Sequence, residues 1–236
     1  MFAASALSCV RGERAVFARL SFTVGPGGAL VLVGANGAGK SSLLRLMAGL
    51  LKPAAGRLTW DGADIALDAE AHRRRLRYVG HADAIKAALS VEENLRTWAV
   101  LWGGPDGTPP RIAAALDAFG IGRLRDVPGR YLSAGQRRRL ALARLLVAPA
   151  RLWLLDEPRT ALDADAMDRL DRVVARHRQQ GGLVVMALHG GERPPGATVL
   201  DLSEAARAAR GWLPHDDASC PPGDPEGFGP APDRPC

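Results

Sequence analysis

Gly34-Ala35-Asn36-Gly37-Ala38-Gly39-Lys40-Ser41 is the stretch from which the rest of the chain can be read. It fits the GxxxxGK[ST] pattern of a loop that cradles phosphate groups. Such a loop needs glycines because its backbone N–H groups turn inward and approach the phosphates closely, where a Cβ would obstruct them; Gly37 and Gly39 serve this. Lys40 then sets a point charge on the β and γ phosphates, and Ser41 offers a hydroxyl to Mg²⁺. The helix that follows presents its N-terminus to the anion, with Ser42 as a further contact. Lys40, Lys52 and Lys86 are the only lysines in a chain whose other cations are arginines, so a lysine inside this loop carries information.

The flanking residues supply the context such a loop requires. Leu20, Phe22 and Val24 alternate with polar residues, Gly25-Pro26-Gly27-Gly28 makes a turn, and Ala29 to Val33 is a second apolar run, which predicts two strands joined by a turn. Downstream, Leu43, Leu44, Met47 and Leu50 recur at helical spacing and stop at Gly49 and Pro53. Gly56 to Ile65, with Asp61-Gly62 at its turn, predicts a hairpin in a small antiparallel layer. Ser90 with Glu93 three residues on is a capping box that starts a helix running to Trp98 or Leu101, ended by the loop Gly103 to Pro110. Ile112 to Phe119 and Gly135 to Val147 predict two more helices, so about 85–148 reads as an all-helical insert. Leu152 to Leu155 and Leu183 to Leu188 are continuous apolar runs, the mark of parallel strands buried on both faces, with an amphipathic helix, Ala164 to Arg178, between them.

The first of those strands ends in two carboxylates, Asp156 and Glu157. In an open α/β sheet that end borders the ligand crevice. Asp156 is placed to hold Mg²⁺, directly or through water, and Glu157 to act as general base on the attacking water.

About 20 residues upstream, Leu132-Ser133-Ala134-Gly135-Gln136 precedes a helix bearing Arg137, Arg138, Arg139 and Arg144. This segment resembles the signature sequence of the ABC ATPases, with Ala134 where that family usually has a second glycine. The resemblance implies an α/β fold: a P-loop NTPase with a RecA-like core, a small antiparallel β subdomain and an inserted α-helical ABC subdomain, together an ABC nucleotide-binding domain over 1–213. It also implies a head-to-tail dimer in which the signature of one copy, Ser133, Ala134, Gly135 and Gln136, covers the γ-phosphate held by the other. By position in the family, Ala161-Leu162-Asp163 resembles the loop at the dimer seam, and His189 matches the switch histidine. Two positions depart from the pattern. His81 stands where a glutamine usually links Mg²⁺ and water to the helical insert, and Arg11 stands where an aromatic usually stacks on adenine; a stacking guanidinium and an ordinary surface arginine are equally open there.

Those departures recur as a set in one subfamily. Cys9-Val10-Arg11-Gly12-Glu13-Arg14, Gly80-His81 and Leu132 to Arg139 together are similar to the ATP-binding proteins of cytochrome c maturation, the haem exporters, over about residues 3–205. That likeness implies an ATPase that works with integral-membrane permease subunits of the haem exporter, of the CcmB/CcmC type, at the cytoplasmic face of the inner membrane, without nucleic acid. Other readings are a soluble ABC ATPase of an assembly system such as iron–sulfur cluster assembly, and the ATPase of another ABC exporter. ABC ATPases that act on DNA or ribosomes usually carry two such units in a chain, and one is present here.

Composition narrows the field further. With 236 residues and 47% hydrophobic residues there is enough for a sizeable core. The apolar runs fall far short of the roughly 20 residues of a membrane-spanning helix, and Met1 to Arg11 does not read as a secretory signal. The net charge of +6 is spread along the chain as scattered arginines and selects no partner. Cys9, Cys220 and Cys236 have no metal-site spacing and read as free thiols. From Pro214 to Cys236 the seven prolines and scarcity of core-forming residues predict a disordered tail.

Overall fold

The computed structural model describes residues 1–102, 109–190, 192–210 and 212. The loop expected at 103–110 therefore falls mostly outside the described residues, as does the tail expected from 214 on.

Two sheets organise the chain. The first is antiparallel: β1 (Phe2–Arg11) lies between β2 (Arg14–Val24) and β4 (Ala55–Trp60), and β5 (Ala63–Asp64) extends the β4 edge. The expected turn at Asp61-Gly62 forms, with both residues at positive φ, +48° and +89°, as a two-residue hairpin turn demands. The second sheet is parallel, in the order β6 (Leu76–Val79), β7 (Leu152–Asp156), β8 (Leu183–Ala187), β3 (Ala29–Val33), β9 (Thr198–Asp201). β2 and β3 are joined by the expected turn, closed by Gly28 N–H on the Gly25 carbonyl at 2.9 Å. They belong to different sheets, however, so the turn is a passage from one layer to the other.

The continuous apolar runs make sense once both faces of the parallel sheet are followed. Leu152 and Leu154 of β7, Leu183 and Val185 of β8, and Leu30 and Leu32 of β3 face one core. That core also takes α1 (Lys40–Met47) and the inner face of the antiparallel sheet. Trp153 and Leu155, Val184 and Met186, and Val31 face the other. There they meet α6 (Ala164–Gln179) and the helices α3 (Val91–Leu101), α4 (Pro109–Ala118) and α5 (Ala134–Ala143). Burying one such leucine contributes about 2 kcal/mol, so a polar residue at any of these alternating positions would oppose the fold.

The helix expected over Gly135 to Val147 is shorter than its periodicity suggested. α5 ends at Ala143 and tightens into a 3₁₀ turn, Arg144–Leu146, ahead of Pro149. The expected capping box of α3 is present: Ser90 Oγ accepts from Glu93 N–H at 3.2 Å and Glu93 Oε2 accepts from Ser90 N–H at 2.7 Å. Segments without a clear periodic signal also fold. These are β1, α2 (Ala69–Arg75) with β6 directly after it, and β9 followed by α7 (Leu202–Ala208), which packs on β2.

Candidate functional site

Because β7, β8 and β3 are neighbours and parallel, their C-terminal ends open on one side of the sheet. Ala187 of β8 is in register with Asp156 on one flank and with Leu32 on the other. The glycine loop after β3, the acid pair after β7 and His189 after β8 therefore meet. They border a cavity of about 580 Å³ lined by Val16, Asn36, Gly37, Gly39, Lys40, Ser41, Ser42, Glu157 and His189.

Within the loop, Gly34, Gly37 and Gly39 all take positive φ, and Gly39, the N-cap of α1, makes no side-chain cap. A Cβ on Gly39 would lie 2.7 Å from Val16 Cγ1 and 2.9 Å from Phe17, so this glycine is required by space as well as by backbone angle. Lys40 is buried, and its ammonium donates to the Gly34 and Ala35 carbonyls at 2.7 and 3.2 Å. Ser41 Oγ donates to Asp156 Oδ1 at 3.1 Å, joining the loop to the end of β7. A hydroxyl and a single buried carboxylate are hard oxygen donors, the kind Mg²⁺ takes in ones and twos beside substrate phosphates. Among the described residues no cluster of three or more His, Cys, Asp or Glu side chains could hold a metal without such a substrate.

Glu157 stands between two histidines. His189 Nε2 is 2.8 Å from Glu157 Oε1, while the more exposed His81 has Nδ1 4.0 Å from Oε2. An imidazole N–H on His189 donates to the carboxylate at that distance. Glu157 itself takes φ +48°, the left-handed region that a side chain seldom adopts.

Other expected residues lie elsewhere. Ala35 and Ala38, with Asn36 and Gly37, line a neighbouring cavity of about 810 Å³ that runs towards α7. Arg11, exposed at the end of β1 and paired in register with Arg14, lines neither cavity. Ser133, Ala134, Gly135 and Gln136 form the start of α5, outside the glycine loop's cavity. There Ser133 Oγ accepts from Gln136 N–H at 3.2 Å and Gln136 Oε1 accepts from Ser133 N–H at 2.9 Å, a second capping box. A Cβ on Gly135 would come within 2.9 Å of the Ala161 carbonyl, so the segment before α6 packs against the start of α5. Asp163 caps α6 through Ala166 N–H and pairs with Arg139 at 2.5 Å.

Two participants had no legible signal. Val16, near the start of β2, is an ordinary strand residue until the fold brings it to the cavity. Arg138 sits in a run of three arginines that spacing alone does not distinguish. Their targets separate them: Arg137 donates to Leu132 O, Arg139 to Asp163, and Arg138 to the carbonyls of Asp156 and Glu157.

Comparison with known proteins agrees with this geometry. The ABC transporter family matches residues 17–160. The chain is 56% identical over 206 residues to the cytochrome c biogenesis ATP-binding export protein CcmA of Rhodospirillum rubrum, covering 87% of each chain. It is 55% identical to the protein of the same name from Paramagnetospirillum magneticum, over 88% of this chain and 96% of that one. In fold it resembles a dimeric ATP-binding cassette bound to ADP and Pi, with a TM-score of 0.75 at 22% identity, covering 87% of this chain and 95% of the other. The chain belongs to the ABC transporter family and, within it, to the family of cytochrome c biogenesis ATP-binding export proteins CcmA.

Proposed function

We propose that this chain is the ATP-hydrolysing subunit of an ABC complex that drives haem export or delivery to the periplasmic haem chaperone in c-type cytochrome maturation. The observation that carries the ATPase reading is the meeting, around one cavity, of Lys40, Ser41 and the Glu157–His189 pair from three separate loops. The haem-export part rests on the relatives named above, which are called export proteins of cytochrome c biogenesis.

In this reading the amides of Gly34 to Ser42 wrap the phosphates, and Lys40 turns its ammonium from the Gly34 carbonyl to the β and γ oxygens. Ser41 and Asp156 would hold Mg²⁺, and His81, at the place of the family's glutamine, would join through water. When bound, the metal neutralises charge on the phosphate oxygens. Glu157 takes a proton from the attacking water, and His189 holds that carboxylate in place while its ring faces the γ-phosphate. Ser133, Ala134, Gly135 and Gln136 of a second copy close the far side, with Asp163 near the seam. The amides of Ala134 and Gly135 and the α5 N-terminus suit the anion they would cover. Arg11, away from the cavities, is left with a surface role.

No helix among the described residues is long and apolar enough to cross a membrane. Integral-membrane permease subunits of the CcmB/CcmC type would therefore supply the path, with this chain on their cytoplasmic face. Co-purified with those subunits, the chain is expected to release phosphate from ATP; a complex that binds ATP and never turns it over would overturn the enzymatic reading. Removing the gene is expected to abolish haem-stained c-type cytochromes, and normal maturation without a paralogue would overturn the haem assignment.

A further inference from the structure

The scheme above leaves without a role the most heavily bonded side chain beside the site. Arg138 is 4% exposed, and its guanidinium reaches two separate segments of chain. Nη2 donates to the carbonyls of Asp156 and Glu157 at 2.7 and 2.8 Å, and Nε to that of Pro158 at 3.4 Å. Nη1 donates to the Gly80 carbonyl at 2.9 Å and to Asp83 Oδ1 at 3.1 Å. Six residues on, Arg144 donates to the carbonyls of Asp83 and Tyr78 at 3.0 and 3.2 Å. The loop carrying His81 is thus held by Arg138 of α5 and by Arg144 of the 3₁₀ turn that follows it, and the strand end carrying Glu157 by Arg138.

A buried arginine is costly, and an apolar side chain would fill the same space more cheaply. What the guanidinium supplies instead is a rigid planar fork whose donors match several fixed acceptors at once. Two of those acceptors are the carbonyl of Glu157, which takes the left-handed φ of +48°, and the carbonyl just before it. The fork therefore holds the one peptide segment whose conformation decides where the Glu157 carboxylate points.

We propose that Arg138 is a positioning residue for hydrolysis that makes the placement of Glu157 depend on engagement of the second copy; this rests on the two-copy reading above. α5 offers Ser133 to Gln136 at its N-terminus to the nucleotide held by the partner copy. Arg138 lies about one and a half turns further along the same rigid helix. A shift of α5 on contact with the partner's nucleotide moves the fork, and with it the Glu157 carbonyl and the His81 loop of the same chain. Both halves of the hydrolytic geometry are thereby set by one helix.

The test is Arg138→Lys in the full chain with its membrane partners. Lysine keeps the charge and the buried stem but cannot span the same acceptors. The expected result is a kcat about 100-fold lower, the scale of an ångström-sized misplacement, with KM for ATP and nucleotide affinity within about twofold of the parent. The Hill coefficient of hydrolysis is expected to fall towards one. In a Glu157→Gln background the same substitution should cost little more, because it acts through that carboxylate. A variant with a lower melting temperature but parental kcat per bound nucleotide would overturn the proposal, as would equal losses with and without Glu157. Should Arg138→Lys fail to fold, Asp83→Asn weakens the grip on the His81 loop alone; it is expected to lower kcat and spare KM, and an unchanged kcat there would equally overturn the proposal. If the parent chain hydrolyses no ATP, the functional reading fails; if the parent is active and Arg138→Lys matches it, only this inference does.

Discussion

Two helix N-termini in this molecule follow glycine-bearing turns, and they are finished in opposite ways. At α1 the N-cap is Gly39, with no side-chain cap and no acidic residue in the first turn, so the amides of the turn face the cavity. At α5 the N-cap is Ser133, locked by a reciprocal capping box with Gln136. The first end is left open, with Lys40, Asp156 and Glu157 close by, as the proposed binding of an anion by its own chain requires. The second is already stable and keeps only the amides of Ala134 and Gly135 to offer outward. In the proposed reading such a site is divided between two copies: one would hold the phosphates tightly, and the other would add a cover that folds without them.

The sharpest way to break this contrast is to remove the group proposed to act only in hydrolysis. Glu157→Gln is expected to lower phosphate release by about 1,000-fold while ATP still binds, as loss of a general base does; steady-state turnover and equilibrium nucleotide binding check the pair. Lys40→Ala acts on the grip itself and should weaken ATP affinity by about 100-fold, the ~3 kcal/mol of a lost charge-assisted contact. Calorimetric titration reads that loss, and an unchanged affinity would remove Lys40 from the site.

The glycines offer a finer cut. Gly37 and Gly39 both take positive φ, but a Cβ on Gly37 meets open space whereas one on Gly39 strikes Val16 and Phe17. Gly37→Ala should therefore cost about 1 kcal/mol of backbone strain, and Gly39→Ala clearly more, with a displaced β2. Equal losses in urea unfolding would mean that the loop does not pack as described. Ser133→Ala, at the other helix, should cost about 1 kcal/mol of stability through its cap and leave the affinity of a single chain for ATP unchanged.

The smallest expected effect is one of pH, and it touches the rear of α1. His72 is buried, accepts from Trp60 Nε1 at 2.9 Å on Nδ1, and donates through Nε2 to the Met47 carbonyl at 2.8 Å. Burial holds its pKa below the ordinary imidazole value, with the nearby Arg75 and Arg73 pushing the same way against the Met47 hydrogen bond. His177, buried and stacked on Trp153, is lowered mainly by the same cause. Because the unfolded chain takes up these protons more readily, their contribution is complete above about pH 6.5 and is lost as pH falls towards the depressed folded values. Melting temperatures recorded from pH 7.5 down to 5.5 should decline, and less so in His72→Gln.

Much of this was legible because it is local. The glycine loop between β3 and α1, the Asp61-Gly62 turn, the Ser90 capping box and the doubly buried strands each follow from a few consecutive residues. The α/β class and the family followed from those and from the signature. What sequence could not convey was sorted by long-range packing. The turn before β3 gives no sign that it changes sheets, and β6 looks like the end of a charged segment until β7 pairs with it. Arg137, Arg138 and Arg139 look alike in the chain, yet successive side chains on a helix point about 100° apart, so each finds a different target. His81 shows the same limit from the other side, since only the fold sets it 4.0 Å from Glu157.

The division of the site between two copies is tested most directly by sedimentation of the Glu157→Gln chain with ATP and magnesium. A species of two chains holding two unhydrolysed nucleotides is the result expected. Single chains saturated with ATP, at concentrations well above the nucleotide affinity, would contradict it.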